Sequence, residues 1–145
     1  MVFVSITRLK IRSLRFLLPF LLYTHRSLRQ VKAACGFQGG ALLADRSRTF
    51  WTMTMWNNGE SMRHYMTTGA HRAAMPRLLD WCDEASIVHW EQEEATLPSW
   101  TEADKRMRAS GRASKVRNPS PQHAALRYRA PRMTTGASIQ PTQRH

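Results

Sequence analysis

The chain has 145 residues, 42% of them hydrophobic and including five Trp, five Phe and eight Met, enough for one domain with a core and too apolar for wholesale disorder. Its net charge of +12 is uneven: residues 1–95 hold 12 Lys/Arg against 8 Asp/Glu, while residues 96–145 hold 10 against 2, so the excess predicts weak polyanion association through the C-terminal third. Cys35 and Cys82 fall in no CxxC and no zinc-ligand spacing, which excludes a disulfide framework or a metal site and predicts reduced thiols in a cytoplasmic protein.

In chain order, residues 2–9 are rich in β-branched and aromatic types, alternate in part, and predict a first strand. The apolar run from Phe16 to Tyr23 follows Lys10, Arg12 and Arg15 and so imitates a signal peptide, but it is too short to span a bilayer. The strand before it, and Leu28 and Val31 after it, argue for a helix instead. Leu17, Leu21, Thr24, Leu28, Val31 and Cys35 recur at the spacing of one helical face, with a start near Pro19 and a cap at Gly36. Phe37 to Ala44 predicts a second strand, in which Gly39 and Gly40 mark a bulge or a close backbone approach. After a polar turn, Thr49 to Trp56 is the clearest strand. Its two faces, Phe50, Thr52, Thr54, Trp56 and Trp51, Met53, Met55, are both substantial and predict a central strand covered on both sides.

Asn57, three residues before Glu60, reads as a capping box for a helix through Met62, Tyr65 and Met66. Gly69 interrupts that helix, which resumes over Ala70 to Trp81 with a kink before Pro76. Residues 86–90 form a fourth strand. The order is β-α-β-β-α-β, the ferredoxin-like α+β class: a four-stranded antiparallel sheet with helices on one face. A second capping box at Ser99 and Glu102 opens a short helix anchored by Trp100 and ending at Gly111. The domains predicted are therefore 1–95 for the ferredoxin-like unit, 96–111 for an appended helix and 112–145 for a basic, unstructured tail, with a docking segment near Leu126–Tyr128. A sheet with Trp and Met on both faces needs a cover for its second face, and a homodimer pairing two sheets into a barrel supplies one.

That arrangement, a dimeric α+β barrel, resembles the antibiotic-biosynthesis-monooxygenase superfamily. Thr54-Met55-Trp56, then Asn58, Glu60 and Met62–Tyr65, is similar to its strand, Trp, polar cap and amphipathic helix. Gly69 to Met75 is similar to its second-helix continuation. Arg8 to Arg12 and Leu14 to Phe16 resemble the opening of spheroidene-monooxygenase-like proteins. The resemblance covers about residues 2–92. It implies either a cofactor-free oxygenase, a haem-bound one or a member with no activity. The Asn, Trp and His used by the haem-degrading branch correspond to Thr7, Tyr65 and Met75; Met75 supplies no imidazole, only a thioether that rarely ligates haem alone, which argues against haem degradation, while the spheroidene-monooxygenase-like features keep a haem-bound version open.

The candidate catalytic residues are His71 as general base, with Tyr65 and Thr7 as hydrogen-bond donors to developing negative charge. Trp51, Trp56, Met62, Met66 and Met75 are candidate pocket residues for a small hydrophobic, aromatic or polyene molecule, against the plainer reading of core packing. His25, His64 and His89 read as flanking, solvated and contact residues, and no metal-binding spacing joins the histidines. The basic run from Lys105 to Arg117 carries no groove-entering helix or stacking platform, so no specific nucleic-acid partner is predicted, and no membrane span. The alternative to an oxygenase is a non-catalytic dimeric domain for ligand binding or interaction.

Overall fold

The computed structural model describes residues 1–132 and 136–142. Its elements run β1 (Val2–Ile11), α1 (Leu17–Lys32), β2 (Phe37–Asp45), β3 (Thr49–Trp56), α2 (Gly59–Met66), α3 (Gly69–Trp81), β4 (Cys82–Gln92), α4 (Trp100–Ser110), β5 (Arg112–Ala113) and β6 (Gly136–Ile139). A 3-10 turn at Leu14–Phe16 precedes α1. The predicted β-α-β-β-α-β order is present, with its second helix divided into α2 and α3. The sheet, however, has six strands in the order β5-β4-β1-β3-β2-β6, not four. The two additions come from the C-terminal segment and occupy the two edges. They are two and four residues long, too short for alternation to reveal.

Strand register separates two faces. β1 lies between β3 and β4, both antiparallel, with Thr7 opposite Thr52 on one side and Ile87 on the other. Odd-numbered residues of β1 therefore share a face with Phe50 and Trp56, and even-numbered ones share the opposite face with Trp51, Met53 and Val88. Helices α1, α2 and α3 cover the first face: Val31 and Met62 pack with Phe37 and Trp56, and Phe20 and Trp81 with Ile11 and Cys82.

The second face differs from expectation. Ala103 and Met107 of α4 pack on Val4, Ile6, Trp51 and Met53, with Trp100 and Tyr128 at the margin. Val4, Ile6, Trp51 and Met107 are each 0% exposed within a single protomer. The surface on which the sequence places a second copy is thus closed by this chain's own helix.

Local chemistry explains the boundaries. Pro19 is the third residue of α1, where its missing N–H costs no helical hydrogen bond. Gly39 (φ +152°) follows a register shift in β2, and a Cβ at Gly40 would collide with the Met53 carbonyl oxygen. The cap of α2 is Asn58, which accepts from the Ser61 N–H at 2.9 Å, one residue later than the box read from Asn57. Ser99 caps α4 as expected, accepting from the Glu102 N–H at 3.1 Å.

Residues 112–145 were expected to be unstructured, yet their described part follows the domain surface. Ser114, Arg117 and Ser120 donate backbone N–H groups to Ala85, Leu79 and Asp83. The His123 ring accepts from the Ala85 N–H at Nδ1 and donates from Nε2 to the Ser114 carbonyl oxygen, at 3.3 and 2.8 Å. Tyr128 docks against Trp51 with ring centroids 5.6 Å apart, and β6 then pairs with β2. Polar composition hid this course because the segment is held mostly by backbone hydrogen bonds and a few anchors, which leave no periodic pattern. Residues 133–135 and 143–145 of the predicted tail lie outside the described residues.

Candidate functional site

The first face carries a chain of rings. Phe37 meets Trp56 edge-on at 5.4 Å, Trp56 meets Tyr65 at 5.4 Å, and Tyr65 meets His71 at 4.7 Å. Strand alternation aims Trp56 at the helices. Tyr65 sits in the last turn of α2, and His71 in the first turn of α3, so the helix break at Gly69 is what brings the two rings together.

The break is held by Gln30 of α1. Its Nε2 donates to the carbonyl oxygens of Tyr65 (3.1 Å) and Thr68 (2.8 Å), and its Oε1 accepts from the His71 N–H (2.8 Å). One side chain thereby satisfies backbone groups at the end of one helix and the start of the next. Gly69 has φ +59°, and a Cβ there would press on the Gln30 amide at 3.1 Å. The His71 ring bonds the Met66 carbonyl oxygen through Nδ1 at 3.2 Å. A carbonyl only accepts, so Nδ1 carries the proton. Burial pulls the His71 pKa below 6.5, against the opposing effect of the Met66 bond. The resulting species is a neutral imidazole with its lone pair on Nε2.

Burial raises the Tyr65 pKa far above its ordinary value, against a smaller opposing effect of the Ser27 side chain, and the Tyr65 hydroxyl donates a long hydrogen bond to the Ser27 carbonyl oxygen (3.4 Å). Tyr65 therefore remains a protonated donor at any ordinary pH. Thr7 lies on the same sheet face, half-buried, opposite Thr52. Met62 is buried among these rings and Met66 packs beside them.

Of the residues predicted for the site, the structure thus brings together His71, Tyr65, Trp56, Met62 and Met66, and sets Thr7 on the same face of the sheet. It separates the other two. Trp51 points to the opposite face, under α4, and Met75 is exposed on α3 at 42%. Gln30 was missed. Its position beside Val31 on the apolar stripe was the available signal, since an amide there needs buried partners. No group of three or more His, Cys, Asp or Glu among the described residues is arranged to hold a metal ion, and no described helix is long and apolar enough to cross a membrane.

Residues 29–133 match the model of a family described as a domain of unknown function (DUF3291). None of the curated proteins matches the chain in sequence. Solved structures share its fold at low identity. A putative antibiotic biosynthesis monooxygenase from Nitrosomonas europaea is 14% identical with a TM-score of 0.58, over 66% of this chain and 93% of that one. SnoaB, a cofactor-independent oxygenase from Streptomyces nogalater, is 14% identical with a TM-score of 0.54, over 68% and 98%. A conserved protein from Methanosarcina mazei is 9% identical with a TM-score of 0.58, over 64% and 94%. This chain has the monooxygenase-like α+β fold, and about a third of its length lies outside the shared part.

Proposed function

The chain belongs to the DUF3291 family, whose description assigns no chemistry, and from the geometry of its ring cluster we propose a monooxygenase-like enzyme that binds a flat hydrophobic molecule, aromatic or polyene, between sheet and helices. The observation that carries this reading is the His71 ring, neutral, tied at Nδ1 to the Met66 carbonyl oxygen and in tilted contact with the Tyr65 ring. A fixed tautomer with a free Nε2 lone pair is the preparation a general base needs.

In the cofactor-free route, Nε2 of His71 takes a proton from an activated methylene of a phenolic substrate. Tyr65, released from its weak bond to Ser27, donates to the resulting enolate oxygen, and Thr7, four residues along β1 from the partner of Trp56, is the alternative donor for a substrate that reaches further along the sheet. The carbanion transfers electrons to O2. The methylene becomes a carbonyl, one oxygen atom is inserted, and the other leaves as water with the two hydrogens, so no external reductant is required.

Haem is the other route that the resemblance leaves open. If haem is bound, His71 would hold it through Nε2, its Nδ1 being bonded to the Met66 carbonyl oxygen, whereas Met75 is exposed on α3. Haem held there would supply oxygen activation, and the chain's own residues would orient the substrate.

The test is oxygen uptake with an anthrone-type substrate, read alongside the visible spectrum after haemin addition. Replacing His71 with Gln is expected to lower kcat by about 10²–10⁴-fold with little change in KM. Turnover that survives the substitution removes His71 from the mechanism. A Soret band lost in the same variant selects the haem route.

A second reading, a non-catalytic ligand-binding or interaction domain, is favoured by the tight filling of the cluster. Trp56 and Met62 are 0% and 2% exposed. Ligand binding without turnover across a panel of phenolic and polyene compounds would select its ligand-binding form, and absence of both its interaction form.

A further inference from the structure

The opposite face of the sheet carries a cleft that the proposed reaction does not use. It is an open cavity of about 830 Å³ between the sheet, the β2–β3 turn, α4 and the segment around Tyr128. That volume lies within the usual range for small-molecule sites, about 300–1,000 Å³. Six cationic side chains line it. Arg8 and Lys10 come from β1, Arg46 from the turn, Arg108 from α4, and Arg127 and Arg129 from the C-terminal segment.

Within the lining Asp45 and Glu84 oppose them, both carboxylates being shared, and Asp104 of α4 holds Arg108 at 3.0 Å. Glu84 serves Arg8 and Lys10, each at 3.2 Å, while Asp45 lies 4.0 Å from Arg46 and 3.3 Å from Arg132. Arg127 and Arg129 have no carboxylate partner among the described residues. At the floor, the Arg8 side chain is 7% exposed, and its Nε is buried without a hydrogen-bond partner. Its guanidinium lies 4.1 Å from the centre of the Tyr128 ring, with Arg108 at 4.2 Å from the same ring. Tyr128 therefore brings two guanidiniums to one ring, with Glu84 on Arg8 and Asp104 on Arg108, while Arg127 and Arg129 beside it stay without a carboxylate among the described residues.

We propose that this cleft binds a small molecule carrying two or more phosphate or carboxylate groups. The uncompensated cations gather anions electrostatically, and planar guanidiniums match such groups two bonds at a time. An enclosed floor with a buried Arg8 distinguishes this from the diffuse attraction of a basic surface. The site is independent of the His71 cluster, which lies on the other side of the sheet.

The test is calorimetric titration of the full chain with inorganic pyrophosphate and with citrate, at moderate salt. Saturable one-to-one binding of either supports the proposal, and the tighter of the two identifies the favoured group. The paired substitutions Arg127→Gln and Arg129→Gln, both on exposed residues, are expected to weaken that binding by about tenfold or more without lowering the melting temperature of the free protein. The pair Arg26→Gln and Arg29→Gln, exposed on α1, removes the same charge from elsewhere and is expected to leave binding unchanged. Equal loss in both pairs would show attraction to net charge alone and overturn the site. So would no saturable binding of either probe at millimolar concentration, or binding of long polyanions only.

Discussion

Two histidines make the protein sensitive to acid in a calculable direction. Burial lowers the pKa of His71, and burial together with Arg112 and Arg63 lowers that of His89, which packs on Phe3 at 5.2 Å. Each group binds fewer protons folded than unfolded at pH values between its two pKa values. Stability is therefore complete above the unfolded value near 6.5 and falls as pH drops below it, levelling only under the folded values. The melting temperature is expected to decline between about pH 7 and pH 5, and less steeply in His71→Gln. An identical slope in that variant would show that His71 does not titrate as its burial requires. Cys82 is pushed up to about 12 by burial and by Asp83, so it should resist thiol reagents in the folded state, while exposed Cys35 reacts. At this scale the sequence singled out His71 and Tyr65 as candidates because ring chemistry and a helix break are visible in letters. That Trp51 and Met75 lie away from this cluster was not legible, because a strand's inward side, and a helix's outward one, depend on which neighbours arrive.

The junction of α2 and α3 is the element on which the ring cluster depends. Gly69→Ala combines a left-handed backbone with a contact against Gln30 and is expected to cost roughly 1–3 kcal/mol. Gln30→Ala removes the hydrogen bonds to Tyr65, Thr68 and His71 and should cost about as much, in the range of 1–3 kcal/mol. Both are read by chemical denaturation. Gln30→Glu is the sharper probe, since a carboxylate still accepts from His71 but no longer donates to Tyr65 and Thr68. If Gln30→Ala leaves stability unchanged, the clamp is incidental. The strands β1 to β4 and the helix break were legible because their periodicities change abruptly at Gly, Asn and Pro. Asn57 and Asn58 both suit a cap, and only the Ser61 N–H decides between them.

For the molecule as a whole, α4 is the cover of the second face. Met107→Ala should leave a cavity against Ile6 and Trp51 and cost about 2–5 kcal/mol, whereas a surface helix would lose far less. Sedimentation at micromolar concentration is expected to show single protomers, because a barrel built from two sheets would have to displace α4. A stable pair that forms without loosening α4 would place the contact on another surface. The need for a cover on the second face was correctly read from Trp and Met on both sides of β3. What composition left open was whether the cover comes from another chain or from this one, since Ala103 and Met107 are too few to announce a buried stripe in so polar a helix.

The C-terminal segment joins both margins of the sheet, lying along β4 through Arg112–Ala113 and along β2 through Gly136–Ile139. During synthesis this imposes an order. The strands and first three helices emerge with one flank already packed and the other open. Neither margin is sealed, and Trp51 has no lid, until α4 and then the final strand have left the ribosome. A stall or truncation between residues 95 and 136 would release a protein with adhesive borders, and a nascent chain paused there is where holding chaperones would act.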